Sequence, residues 1–175
     1  MRNWPLPLLV ATVMFGASAA PSAAETQIER GKYLVTITGC GTCHTPGELL
    51  GKPDLTRLLA GSEVGFGIPG VGVFVGGNLT PDKETGLGAW TSDQIIMAIR
   101  KGKRPDGSEL SGVMPWASFA RLTDEDAAAI AAFLKSIPPV NNKVVARYKS
   151  SDTVPISVSA VLPPEVYNAL PASQK

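Results

Sequence analysis

The sequence predicts a small all-α domain that is followed by an extended C-terminal tail. Two segments, 91–102 and 123–137, carry complete helix signals, and a third, 26–38, has apolar residues at helical spacing. The region 47–89 is predicted to be mostly loop, because nine of the chain's 18 glycines fall within 61–88. A loop of this length inside a compact domain indicates either a functional loop or something else that fills the middle of the domain.

The first 24 residues have the features of an export signal. Arg2 precedes the apolar run 4–15, which is shorter than the roughly 20 residues of a membrane-spanning helix. Small residues at 22–24 predict cleavage before Glu25. We therefore expect a periplasmic protein with no stable membrane span after cleavage; an uncleaved anchor is the alternative.

Cleavage at this position would leave a balanced charge. The full sequence has 16 Lys and Arg residues and 15 Asp and Glu residues. Removal of Arg2 with the signal would leave 15 of each. Proteins that bind nucleic acid normally present a clustered basic face. The composition therefore predicts no nucleic-acid partner.

Each predicted helix has its own signals. In 26–38 the apolar face is expected to consist of Ile28, Tyr33, Leu34 and Ile37. The helix in 91–102 begins with a Thr91/Gln94 capping box and stops at Gly102. The helix in 123–137 begins at Thr123 with acidic residues in its first turn and Lys135 in its last. Its apolar stripe consists of Ile130, Phe133, Leu134 and Ile137.

Two regions lack helix signals. The stretch "GFGIPGVGVFVGGN" contains alternating apolar residues that predict a short hairpin. The segment 139–175 has scattered prolines and is expected to be an extended tail, either wrapped on the domain or partly mobile. The predicted organisation is thus a signal at 1–24, a helical domain at 25–138 and a tail at 139–175.

The motif "CGTCH" holds both cysteines, Cys40 and Cys43, and the single histidine, His44. It matches C-x-x-C-H, the attachment pattern of c-type haem. Cysteines at this spacing can form thioethers to the two vinyl groups along one side of a porphyrin, and His44 then binds the iron. Attachment also explains why neither thiol is left to oxidise after export.

Three other interpretations compete with one covalently bound haem c. A disulfide between Cys40 and Cys43 would close a tiny loop and stabilise little, since the benefit grows with loop length. A thioredoxin-like redox pair requires a βαβ context, and none is visible. A structural zinc site normally takes four Cys or His ligands, and the chain has only three such residues. The motif therefore favours haem c.

A haem iron held by His44 needs a sixth ligand or an open position. No second histidine exists, and Met97 and Met114 are the only methionines after residue 24. Met97 lies inside a predicted helix, where we expect it in the core. Met114 lies in a predicted loop that Pro115 stiffens. We predict Met114 as the ligand, with Met97 or an open site as alternatives; methionine ligation raises the reduction potential.

Three stretches carry a family resemblance: "GKYLVTITGCGTCHTP", "GGNLTPDKETGLGAWTSDQIIMAIRKGKRPDGSEL" and "VMPWASFARLTDEDAAAIAAFLKSI". The chain from about 26 to 140 resembles single-haem, class I-type cytochromes c. It is most similar to the haem domains in cytochrome subunits of bacterial membrane-bound alcohol, aldehyde and sugar-acid dehydrogenases.

The resemblance implies N-terminal and C-terminal helices that cross beside the haem, and Met114 as the methionine ligand. It places Asn78, Thr80 and Trp90 in the haem-pocket region. Trp90 then either donates a hydrogen bond to a propionate or packs in the core.

The function implied is one-electron transfer without catalysis. The expected partners are a dehydrogenase as electron donor and an oxidase or another cytochrome as acceptor. The resembling subunits commonly hold three haem domains and a membrane anchor, whereas this chain has one C-x-x-C-H motif. This difference favours a soluble shuttle or a small haem subunit. The alternative is a haem enzyme or gas-binding sensor with an open sixth position.

Overall fold

The computed structural model describes residues 25–174. The export signal predicted at 1–24 lies outside these residues. The α-helices, in chain order, are α1 (Gln27–Ile37), α2 (Cys40–His44), α3 (Ser92–Lys101), α4 (Trp116–Phe119), α5 (Asp124–Ser136) and α6 (Pro164–Ala169). The strands are β1 (Val64–Ile68), β2 (Gly72–Val75), β3 (Arg147–Lys149) and β4 (Ser157–Ala160). Short 3-10 turns cover Glu48–Leu50, Leu55–Arg57 and Ala172–Gln174.

Helix signals in the sequence are confirmed for α3 and α5. Thr91 and Gln94 form the capping box of α3, and Gly102 ends that helix in the left-handed conformation with φ 67°. Thr123 caps α5 by accepting a hydrogen bond from the backbone N–H of Asp126. The predicted stripe of α5 lies in the core, where Ile130, Phe133 and Leu134 are buried and Ile137 is partly buried.

Helix α1 is present where predicted, but its predicted apolar face is wrong. Leu34 is buried, whereas Ile28, Tyr33 and Ile37 are about half exposed. The buried face instead consists of Gly31, Leu34 and Val35. Helix α1 packs against α5 at Gly31, where a Cβ atom would overlap the carbonyl group of Ala129. Close contact between the two backbones therefore sets the rotation of α1.

The all-α prediction needs correction, because the structure also contains a four-stranded sheet in the order β3-β2-β1-β4. The hairpin is confirmed: β1 and β2 pair antiparallel, with Phe66 opposite Phe74. The tail supplies the other two strands. Strand β3 pairs antiparallel with β2, and β4 pairs parallel with β1. Pairing between segments about 70 to 90 residues apart leaves no local signal in the sequence.

The buried core lies among α1, α3 and α5 and draws in Leu59 and Leu87 from the long loop. The sheet lies outside this cluster, so the molecule has a helical side and a sheet side. Within residues 25–174, no helix is long and apolar enough to cross a membrane.

Candidate functional site

A cavity of about 550 Å³ separates the helical side from the sheet side. This volume lies within the range of small-molecule and cofactor sites, roughly 300–1,000 Å³. Most of its walls are apolar side chains. They come from α3, α5, the hairpin, the loop between β2 and α3, the loop before α4 and the tail. They include Phe66, Phe74, Leu79, Ile99, Leu110, Val113 and Val144. The predicted attachment motif lies on helix α2 at the edge of this cavity.

Gly39 makes the turn that leads from α1 into α2. Its φ of 71° is in the left-handed region, which glycine adopts without strain. Cys40 and Cys43 follow immediately; both line the cavity, and their sulfur atoms are not joined to each other. Burial raises the pKa of both thiols above the ordinary value. Two neutral sulfur groups thus face one apolar space.

His44 is oriented by one hydrogen bond. Its Nδ1 lies 2.7 Å from the carbonyl oxygen of Gly77, which can only accept, so Nδ1 carries the proton. This tautomer leaves Nε2 as the nitrogen with a free lone pair. Burial lowers the pKa of His44 below its ordinary value, while the Gly77 hydrogen bond opposes that change. A neutral imidazole with its other N–H bonded to a backbone carbonyl is the usual form of a metal-binding histidine.

Gly76 and Gly77 are functional residues that the sequence interpretation missed. A Cβ atom at Gly76 would overlap the carbonyl group of Cys43 and lie 3.3 Å from Nδ1 of His44. The Gly-Gly pair therefore lets the end of β2 approach α2 closely enough for the Gly77 carbonyl to reach the imidazole. The "VGG" that ends the hairpin was the available signal, but nothing local connects it to His44.

The two candidate methionines differ in position. Met114 lines the cavity, and two short turns hold its backbone: its N–H donates to Ser111 O at 3.0 Å, and its carbonyl accepts from Trp116 at 2.8 Å. Met97 does not line the cavity. The expectation that Met97 lies in the core is wrong, since its side chain is 48% exposed. The buried face of α3 carries Ile95 and Ala98, and Met97 points away from that face.

Asn78 lines the cavity, whereas the fully buried Thr80 does not, and both use their polar groups within the protein. Asn78 Nδ2 donates to Thr85 Oγ1 at 3.0 Å and to Val140 O at 2.8 Å. Asn78 Oδ1 accepts from Thr80 N at 2.9 Å and from Thr80 Oγ1 at 2.7 Å. Because the amide bonds to two segments, its role is to fix the loop over the cavity. Trp90 lines the cavity and packs against the core, so the core location is confirmed and the hydrogen bond to a propionate stays a prediction.

Arg104 was also missed. It and His44 are the basic side chains that line the cavity. Two acceptors hold the Arg104 guanidinium: Ser108 Oγ at 3.2 Å and the carbonyl of Glu109 at 2.8 Å. Both acceptors lie with Arg104 in the same tight turn, "RPDGSE".

These observations fit the haem c predicted from the motif. Two sulfur atoms, one neutral imidazole with a defined tautomer, and a methionine thioether meet at one apolar cavity. Thioether bonds need the two thiols separate, as they are here. Within the described range, no group of three or more His, Cys, Asp or Glu side chains is arranged to hold a metal ion by itself.

Comparison with protein families gives one match. The family described as "Cytochrome c" matches residues 28–138. Helices α1 to α5 and the first two strands all lie within those residues, apart from the first residue of α1.

Similar proteins include several dehydrogenase subunits. The cytochrome c subunit of the quinone alcohol dehydrogenase of Gluconobacter oxydans is 37% identical over 142 residues, which is 79% of this chain and 28% of that protein. The gluconate 2-dehydrogenase cytochrome c subunit of Pantoea cypripedii is 32% identical over 77% of this chain and 29% of that protein. The fructose dehydrogenase cytochrome subunit of Gluconobacter japonicus is 37% identical over 69% of this chain and 23% of that protein. The chain thus spans less than a third of the length of these relatives.

Proposed function

The chain belongs to the cytochrome c family, and we propose that it is a periplasmic electron carrier whose haem iron is bound by His44 and Met114. Its cofactor is haem c. When bound, haem c accepts and releases one electron at its iron. The protein's own residues attach the cofactor, orient its ligands and exclude water.

The orientation of His44 is the observation that carries this proposal. Its Nδ1–H is bound by Gly77 at 2.7 Å, so Nε2 is the nitrogen left to bind a metal. Cys40 and Cys43, which precede it on the same helix, border the same cavity. We assign the two cysteines to covalent attachment and His44 to the iron.

Met114 is the second iron ligand that we propose. It lines the cavity, whereas Met97 does not. One backbone hydrogen bond on each side of Met114 holds its loop in one shape, which suits a ligand that must stay in place during electron transfer. Two strong ligands would fill both axial positions, which favours a carrier over a haem enzyme or gas sensor.

A dehydrogenase is the partner that we propose as electron donor, with an oxidase or another cytochrome as acceptor. The relatives named above are cytochrome subunits of alcohol, gluconate and fructose dehydrogenases. Whether the chain acts as a shuttle or as a bound subunit is tested by isolation from its native cells. Co-purification with a dehydrogenase would favour a subunit, and isolation of the carrier alone would favour a shuttle.

Covalent haem is tested on the full-length protein, expressed with export and haem-attachment machinery. Haem staining after denaturing electrophoresis should show haem that migrates with the polypeptide. The matched variant Cys40→Ser/Cys43→Ser should lose that staining, while Ser111→Ala should keep it. Haem that acidified acetone extracts from the parent protein would overturn the assignment of both cysteines.

A further inference from the structure

The tail contributes directly to the cavity, although it lies beyond the residues that match the family. Val144 and Ala146 line the cavity beside Phe66 and Phe74 of the hairpin. The backbone N–H of Val75 donates to the carbonyl of Ala146 at 3.0 Å. The chain then continues into β3, which pairs along β2. The cavity wall on the sheet side is therefore shared between the hairpin and the tail.

Glycines in the hairpin region provide room for the tail. A Cβ atom at Gly61 would collide with the Val144 side chain, and one at Gly72 would overlap the carbonyl of Tyr148. Both glycines have positive φ, 106° and 136°. On strand β1, a Cβ atom at Gly67 would lie 3.0 Å from Val158. The glycine-rich region is thus shaped to receive the tail along both strands of the hairpin.

The start of the tail is fixed by polar contacts to the loop that borders the cavity. The backbone N–H of Val140 donates to Thr80 Oγ1 at 3.1 Å, and that of Asn142 donates to Thr85 Oγ1 at 2.9 Å. The Asn142 side chain donates to the carbonyl of Ala60 at 2.8 Å. Val144 follows this anchor by two residues, so the anchor determines where Val144 meets the cavity.

Val144 and Val145 are adjacent valines with different surroundings. Val144 is partly buried and lines the cavity. Val145 is half exposed and does not line the cavity. The pair therefore allows the same substitution to be compared on the cavity side and on the outer side of the tail.

We propose that residues 140–149 form a wall that keeps water from the edge of the haem and so raises its reduction potential. This inference rests on the proposed haem site. Burial and solvent access are among the means by which a protein sets a haem potential. An apolar wall disfavours the oxidised iron, which carries one more positive charge than the reduced iron. Val144 lies at the centre of this wall.

The first test compares two single substitutions in the full-length holoprotein. Val144→Thr keeps the volume and adds a hydroxyl at the cavity, whereas Val145→Thr makes the same change on the outer face. We expect Val144→Thr to lower the reduction potential by up to about 59 mV. For one electron this corresponds to an about tenfold change in the equilibrium constant. Val145→Thr should match the parent. Equal potentials for the two variants would overturn the proposal.

The second test compares two truncations. A stop after Ala160 removes only residues beyond the sheet and should leave the potential unchanged. A stop after Asn142 keeps the polar anchor but removes the wall, and should lower the potential more than Val144→Thr does. A holoprotein that stops after Asn142 and keeps the parent potential would overturn the proposal. If the shorter chain yields no holoprotein, the Val144/Val145 pair decides.

Hydrogen exchange adds a readout independent of the haem potential. In the full-length holoprotein, the amides of 147–149 and 72–75 should be protected together, because they form one ladder. Exchange of 147–149 at the rate of an unfolded chain would contradict a closed wall. Failure of the proposed function would differ from failure of the wall proposal, because the parent protein would then carry no covalent haem.

Discussion

The helical side and the sheet side of the molecule are built from different kinds of contact. Helices α1, α3 and α5 pack through buried side chains such as Leu34, Ile95 and Leu134. The sheet side has few buried side chains and is held by ladder hydrogen bonds and by close approach at glycines. The cavity lies between the two sides. The helical side therefore carries the stability of the domain, and the sheet side adjusts the environment of the cavity.

The strongest way to break the helical side is to separate α1 from α5. We expect Gly31→Val to destabilise the holoprotein by about 3 kcal/mol or more, because the new side chain must displace the backbone at Ala129. Denaturant unfolding measures this free energy. Gly112→Ala is the control, since a Cβ atom there meets nothing within 4 Å. Similar unfolding midpoints for both variants would show that the two helices can separate at little cost.

The methionines sharpen the comparison, because only one of the two faces the cavity. We expect Met114→His to keep a low-spin haem with a clearly lower reduction potential, since a nitrogen donor favours reduced iron less than a thioether does. Met114→Ala should open the iron to carbon monoxide and cyanide. Redox titration and absorption spectroscopy measure both effects.

Met97→Leu is the matched control for the methionine assignment. Met97 is exposed, so we expect the spectrum and potential to stay at the parent values. The sulfur-to-iron absorption band at the red edge reports the result. Its loss in Met97→Leu together with its retention in Met114→Ala would reverse the assignment. Absence of the band from the parent protein would instead favour an open iron site.

A glycine on the sheet side should behave differently from Gly31. We expect Gly72→Ala to release β3 locally, because its φ of 136° and the Tyr148 carbonyl both exclude a side chain. Exchange of the amides in 147–149 should accelerate, while most of the helical amides stay protected. Uniform loss of protection in α5 would show that the two sides unfold as one unit.

The smallest expected effects come from two arginines, one on each side, that stack on aromatic rings. Arg30 lies 5.6 Å from the centroid of Tyr33, and Arg147 lies 5.3 Å from that of Phe74. Phe74 lines the cavity, so Arg147→Gln should lower the haem potential slightly by removing a nearby positive charge. Arg30→Gln should leave the potential unchanged and lower the free energy of unfolding only slightly, because its ion pair with Asp126 is exposed to solvent. A shift of the haem potential in Arg30→Gln but not in Arg147→Gln would contradict this difference between the helical side and the sheet side.

Sequence reasoning succeeded where the signal is local. Capping residues located the starts of α3 and α5, and Gly102 located the end of α3, because these interactions span only three or four residues. It failed for the face of α1, because the decisive contact at Gly31 depends on a helix nearly 100 residues further along the chain. The sheet was missed for the same reason, since β3 and β4 pair with distant partners. The hairpin itself was predicted because its two strands are adjacent.

The candidate site shows the same limit. Spacing alone indicated Cys40, Cys43 and His44, and the structure brings all three to one cavity with Met114. The group that orients His44 is a backbone carbonyl, at Gly77, which has no side-chain signature. The wall residue Val144 lies in a segment whose composition indicates only an extended tail. The assignment of His44 and Met114 as iron ligands and of Val144 as a wall residue stays a prediction until the holoprotein is measured.

The position of the wall in the chain has a consequence for the assembly of the protein. The N-terminal part of a chain is made first and can begin to fold first. Cys40 and Cys43 therefore emerge about 100 residues before Val144. Before the tail is in place, its part of the cavity wall is missing, and we expect an attachment enzyme to reach both thiols more easily. Closure by residues 140–149 would then complete the wall after haem attachment.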